Sequence, residues 1–220
     1  MGLPQETEIP DSKSAEWLML HRAVWFMPAS LQRILEKHSQ ELDSGLNPQS
    51  FDTSGWAIER HPLEVNLRQK VLTIGNLLRS RPRFGEVARE MGNAARLIIY
   101  LNMPEGEGLS SSDLDFLLRY IHKNSPKFPL VVYDDPGQGI SSMEDFLCGL
   151  DKRRLQLSKQ LHEAYPSGMV ISSLEIYDFR SPVFGISSLV YSHSINDIAR
   201  LWISSWKAAN GDMSGRPIMN

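Results

Sequence analysis

The 220 residues contain a single cysteine, Cys148, so no disulfide can form within the chain. That usage fits a reducing compartment, and the expectation is a cytoplasmic protein. No apolar run approaches the roughly 20 residues that a membrane-crossing helix needs, which excludes an integral membrane segment. No charge of one sign prevails. Lys and Arg number 23 against 26 Asp and Glu, giving a formal net charge of -3 and a pI of about 6.1. That balance supplies no overall attraction to nucleic acid. The one basic cluster, Arg79, Arg81 and Arg83, reads as a solvated helix end. Also missing are internal repeats, low-complexity tracts, G-x-G-x-x-G, the P-loop, G-x-S-x-G, H-E-x-x-H and paired C-x-x-C. Cys148 sits in Phe146-Leu147-Cys148-Gly149-Leu150, an apolar context that predicts a buried, inert thiol.

What is present is helical periodicity. With 41% hydrophobic and 22% charged residues, the chain suits one globular domain of moderate size. Met1–Ser14 is polar and lacks the basic-then-apolar order of a signal peptide, so residues 1–14 read as a flexible arm. A mature secreted protein stripped of its leader would read the same. Residues 15–210 read as a single all-α domain of about seven helices with long loops, and 211–220 as a C-terminal tail. Helices are expected near 14–26 and 29–44, from Pro62 to Leu78, from Phe84 to Asn102, from the Ser110–Asp113 caps to Ile121, from Ser141 to Tyr165, and from Val183 to Ala209. Ser141 with Glu144 resembles a capping box. Leu130–Tyr133 reads as a short extended piece, and Gly168–Asp178 is ambiguous between strand and loop. Trp202 and Trp206, four residues apart, share a face that reads as core. Trp56, in a Ser-Gly-Trp loop, is the better candidate for an interface anchor.

Chemistry could reside in two places. His193 and Asp197 also lie four apart and share a helix face, where they could ligate a metal or make a plain helix-surface contact. The second place is the helix Met91-Gly92-Asn93-Ala94-Ala95-Arg96-Leu97-Ile98-Ile99-Tyr100-Leu101-Asn102, which is apolar yet carries Arg96 and, one turn later, Tyr100.

Those segments resemble the zinc-dependent phospholipase C and single-strand-specific nuclease superfamily. Leu20-His21-Arg22-Ala23 followed by Phe26-Met27-Pro28, a helix, Gly45 and Asn47-Pro48-Gln49 is similar to the family's early helix, with His21 on a ligand histidine and Gln49 in place of an aspartate. His61 before Pro62 matches another histidine. Met91–Gly106 follows the frame of a motif close to L-G-x-x-x-H-x-x-x-D-x-x-x-P-x-H, but its ligand positions hold Arg96, Tyr100 and Gly106. Asp115 and Arg119 stand near a later H-x-x-x-E pair, and Leu189–Trp206 is similar to the family's last helix.

The resemblance implies an all-α scaffold built around zinc, with most ligands replaced. Guanidinium only donates and stays charged, so Arg96 cannot bind zinc. Two readings of Arg96 stand. It could substitute for the metal's charge and pair with Asp115 or Asp197, or it could snorkel to solvent from a helix edge. The implied function is a non-catalytic or divergent binding module without a cofactor. Its anion pocket would be formed by Arg96, Tyr100, Asp115 and Arg119, and would suit a phosphate-containing small molecule. Arg96 with Arg119 or Arg200 could clamp such a phosphate. The alternatives are a phosphodiester hydrolase keeping zinc on His21, His61, His193 and Asp197, and a scaffold that binds a protein partner.

Overall fold

The structure is a computed structural model, and it describes residues 14–46, 60–80, 83–104, 111–132, 139–166 and 178–215. These residues fold as an all-α assembly of eight helices: α1 Ala15–Val24, α2 Ala29–Lys37, α3 Ser39–Ser44, α4 Arg60–Arg79, α5 Phe84–Asn102, α6 Ser111–Asn124, α7 Met143–Ala164 and α8 Pro182–Ala208. A single 3₁₀ turn, Ser125–Lys127, follows α6. Trp56 and all of Gly168–Asp178 except Asp178 lie outside the described residues. So do residues 1–13 of the expected arm. No described helix is long and apolar enough to cross a membrane.

The helix starts follow from local chemistry. Ser14 caps α1 by accepting from the Trp17 amide at 3.3 Å. Pro28 precedes α2, where a missing N–H costs nothing. Ser181 caps α8 ahead of Pro182 at its first position. For α7 the cap is Ser142, which accepts from the Asp145 amide at 3.0 Å, one residue beyond the expected Ser141.

The expected helix over 29–44 is broken at His38, whose ψ of 34° departs from helical geometry. The break turns α3 onto α5. There the Leu42 carbonyl rests on Gly92, and Gly45 lies against the Arg89 carbonyl. A Cβ at either glycine would overlap backbone, so this crossing requires both glycines.

The core forms around α8, which packs against α1, α4, α5, α6 and α7. Trp202 is fully buried, as its helix face suggested, and its indole donates to the Met91 carbonyl at 3.2 Å. Trp206 is also core; its indole donates to the Asp212 carbonyl at 3.0 Å. Gly211 lies directly under that ring, so the packed chain continues past residue 210. The polar residues of α8 tie down neighbouring segments. Ser192 accepts from the Val131 amide at 3.2 Å, and the Asn196 amide donates to the Val131 carbonyl at 2.9 Å. Residues 129–132 are thereby laid along the helix, and Tyr133 of the expected extended piece lies outside the described residues. Cys148 is exposed rather than buried. The inner face of α7 is formed by Phe146, Leu147, Leu150 and Leu157, and Cys148 falls off that stripe.

Candidate functional site

The most deeply buried charge in the described chain is the carboxylate of Asp197, midway along α8 and only 3% exposed. Two other helices reach it. From α7, Arg153 Nη2 donates to Asp197 Oδ2 at 2.7 Å. From the last turn of α5, Asn102 Nδ2 donates to the same oxygen at 3.1 Å and to the Ile98 carbonyl at 3.2 Å. Burial pushes the Asp197 carboxyl above its usual range; Arg153, Asn102 and Arg200 act against that push. One turn earlier on α8, His193 is held down to about 4, first by burial and then by the charge of Arg153. Its imidazole is therefore neutral at neutral pH. The result is a three-helix seam in which a guanidinium and an amide satisfy one buried carboxylate beside a neutral histidine.

Arg96 belongs to a different place. It is buried at 6% exposure, so it does not snorkel. Its guanidinium lies 5.4 Å from the Tyr100 ring centroid, and both Arg96 and Glu16 of α1 act electrostatically on the Tyr100 phenol. Burial, then Glu16, raises the Tyr100 phenol. The expected pairing of Arg96 with Asp115 or Asp197 is therefore corrected: Asp197 is held by Arg153, and Asp115 is exposed on α6. Arg119 is exposed on α6 as well. The four residues expected to share an anion pocket are thus divided, with Arg96 and Tyr100 inside and Asp115 and Arg119 at the surface. Arg200 acts on Asp197, at the seam.

The candidate metal ligands are dispersed too. His21 Nε2 lies 2.7 Å from Asp43 Oδ1 of α3. The Trp17 indole donates to the other Asp43 oxygen at 3.1 Å and stacks on the His21 ring at 3.9 Å. His61 is exposed near the start of α4. Among the described residues, no group of three or more His, Cys, Asp or Glu side chains is placed to hold a metal ion. Of the four, only His193 and Asp197 come together, as their spacing on α8 dictates.

Sequence reasoning missed Arg153, Asn102, Asp43 and Glu16. Arg153 sits in Asp151-Lys152-Arg153-Arg154, where nothing in the composition separates an inward arginine from solvated ones. Asn102 carried the better signal, as a lone amide closing an apolar helix just before Met103-Pro104. Comparison of the chain with protein-family profiles, with characterised proteins and with solved structures returned no match.

Proposed function

We propose that this chain is a non-catalytic binding module on a scaffold of the zinc-dependent phospholipase C type, in which side-chain donors stand where a metal would act. One observation carries this reading: the Asp197 carboxylate of α8 is engaged by Arg153 and Asn102. A metal would have to displace the Arg153 guanidinium to reach it. The two α5 positions that match zinc ligands are occupied by Arg96 and Tyr100, a permanent donor and a phenol whose proton burial retains. His21 already has a carboxylate partner. Zinc-activated attack of water on a phosphodiester needs several deprotonated ligands converging on one point, and these side chains satisfy one another instead. The ligand of such a module is a small anion, drawn to the guanidinium edge of the seam where Arg153 retains 28% exposure. The lone cysteine fits work in the cytoplasm.

The test is elemental analysis of protein purified without chelator or metal-affinity tag, with an assay of phosphodiester hydrolysis in added zinc. The expected result is zinc far below one ion per chain and hydrolysis no faster than the blank. One or more tightly held zinc ions with zinc-dependent hydrolysis would overturn the reading.

A further inference from the structure

The described ion pairs of this protein are distributed unevenly. Arg68, Lys70, Arg83, Arg153, Arg154 and Lys159 all pair with carboxylates. Elsewhere two cations are set against rings instead. The Arg22 guanidinium lies 4.0 Å from the centroid of Trp25, and Lys127 Nζ lies 5.4 Å from that of Phe179. Both rings are exposed, Trp25 at 49% and Phe179 at 60%.

The two ends are physically continuous. Phe179 meets Phe184 edge-on at 5.2 Å. Phe184 meets Phe128 at 5.0 Å, and Phe128 meets Tyr191 at 5.7 Å. The charge of Arg22, which covers Trp25, acts on the Tyr191 phenol. An aromatic ladder thus runs from the start of α8 to the end of α1. Its middle rungs, Phe128 and Tyr191, are buried, and its end rungs project. Just after Phe128, the chain adds Leu130, Val131 and Val132, all exposed and apolar. Arg180 follows Phe179 and is also exposed. Among the described residues, none of Arg22, Lys127 and Arg180 has a carboxylate within ion-pair distance, although the chain as a whole is acidic. Asp178 is the acidic residue beside them, and it accepts from the Arg180 amide.

We propose that these side chains form one rim that docks on an anionic lipid surface, with Trp25, Phe179 and Leu130–Val132 entering the interface and Arg22, Lys127 and Arg180 meeting headgroups. Rings and aliphatic side chains flanked by unpaired cations are what an interfacial site requires. A lipid surface also accepts side chains from three separate segments without demanding a shaped partner. The buried rungs hold the two exposed rings in place, so docking needs no rearrangement of the fold. Each cation that meets an anionic headgroup strengthens partitioning about fivefold, and the contribution fades with salt.

The test is co-sedimentation of the full chain with vesicles of pure phosphatidylcholine and with equimolar phosphatidylcholine and phosphatidylglycerol. The wild type is expected in the pellet with the anionic vesicles at low salt, and released at high salt. The double variant Trp25→Ser, Phe179→Ser changes only exposed rings, and its fold is checked by circular dichroism. It is expected to lose at least about tenfold in partitioning. Lys127→Gln is expected to lose about fivefold on anionic vesicles. Wild type that stays in the supernatant with both vesicles overturns the proposal. So does a folded double variant that binds as tightly as wild type. A self-association of wild type that the double variant abolishes, without vesicle binding, overturns it as well and assigns the rim to a second copy of the chain.

Discussion

Arg96 and Arg153 are both arginines turned toward the protein, and their surroundings differ. Arg96 is the more buried and lies against the Tyr100 ring. Arg153 keeps an edge in solvent and spends its charge on a carboxylate that has none. Desolvation of a carboxylate is the larger cost, so the seam at Asp197 depends on its partner more than the Arg96 cluster depends on any one contact. The same contrast separates the histidines. His193 sits in the seam and is kept neutral, whereas His21 is half-exposed with its own aspartate. A buried arginine by itself therefore does not mark the most deeply buried charge of the described chain; the Asp197 carboxylate does.

That contrast can be broken by mutation. The largest effect is expected for Asp197→Ala, which strands Arg153 and Asn102 at the meeting of three helices. It should cost about 3 kcal/mol of stability, read by urea unfolding. A change under about 0.5 kcal/mol would mean that the seam is no more costly to disrupt than an ordinary surface position.

The second effect is on pH dependence. His193 is held at about 4 against 6.5 for a free imidazole. As pH falls through that window, the unfolded chain takes up a proton that the folded chain refuses, so stability drops. The loss is expected to be on the order of 2 kcal/mol between pH 7 and pH 4. His193→Gln should flatten that slope. Asp197, raised by burial, shifts stability in the opposite sense as acid protonates it. The difference between wild type and variant isolates the histidine, and parallel slopes would contradict a neutral His193.

Smaller effects belong to the other region. Arg96→Met keeps much of the volume and loses the guanidinium's contact with the Tyr100 ring, at an expected cost of about 1.5 kcal/mol. An effect as large as that of Asp197→Ala would erase the contrast between the two arginines. Asp43→Ala releases His21 and Trp17 at a partly exposed position and should cost about 1 kcal/mol or less. Both are measured by the same unfolding experiment.

The sequence showed the helices more clearly than their polar partners. Phe84–Asn102 was legible from end to end because its apolar spacing and the following proline bound it. The split at His38 was not legible, because it follows from the contact of Leu42 and Gly45 with Gly92 on another helix, and no local residue announces it. His193 and Asp197 were legible as a pair because α-helical spacing alone brings them together. Arg153 and Asn102 reach them from helices distant in sequence, and spacing carries no information about that. Arg96 stood out because it interrupts an apolar run. The sequence did not show that its partner would be the phenol one turn along its own helix.

The ion pair at the seam is tested most directly by a double-mutant cycle on Arg153→Met and Asp197→Asn, with stability measured for wild type, both single variants and the double variant. A guanidinium that holds the buried carboxylate predicts a coupling of at least about 1.5 kcal/mol, the double variant being more stable than the single losses sum to. Additivity within about 0.5 kcal/mol would show that Arg153 and Asp197 act independently, and would contradict a seam in which the arginine holds the carboxylate.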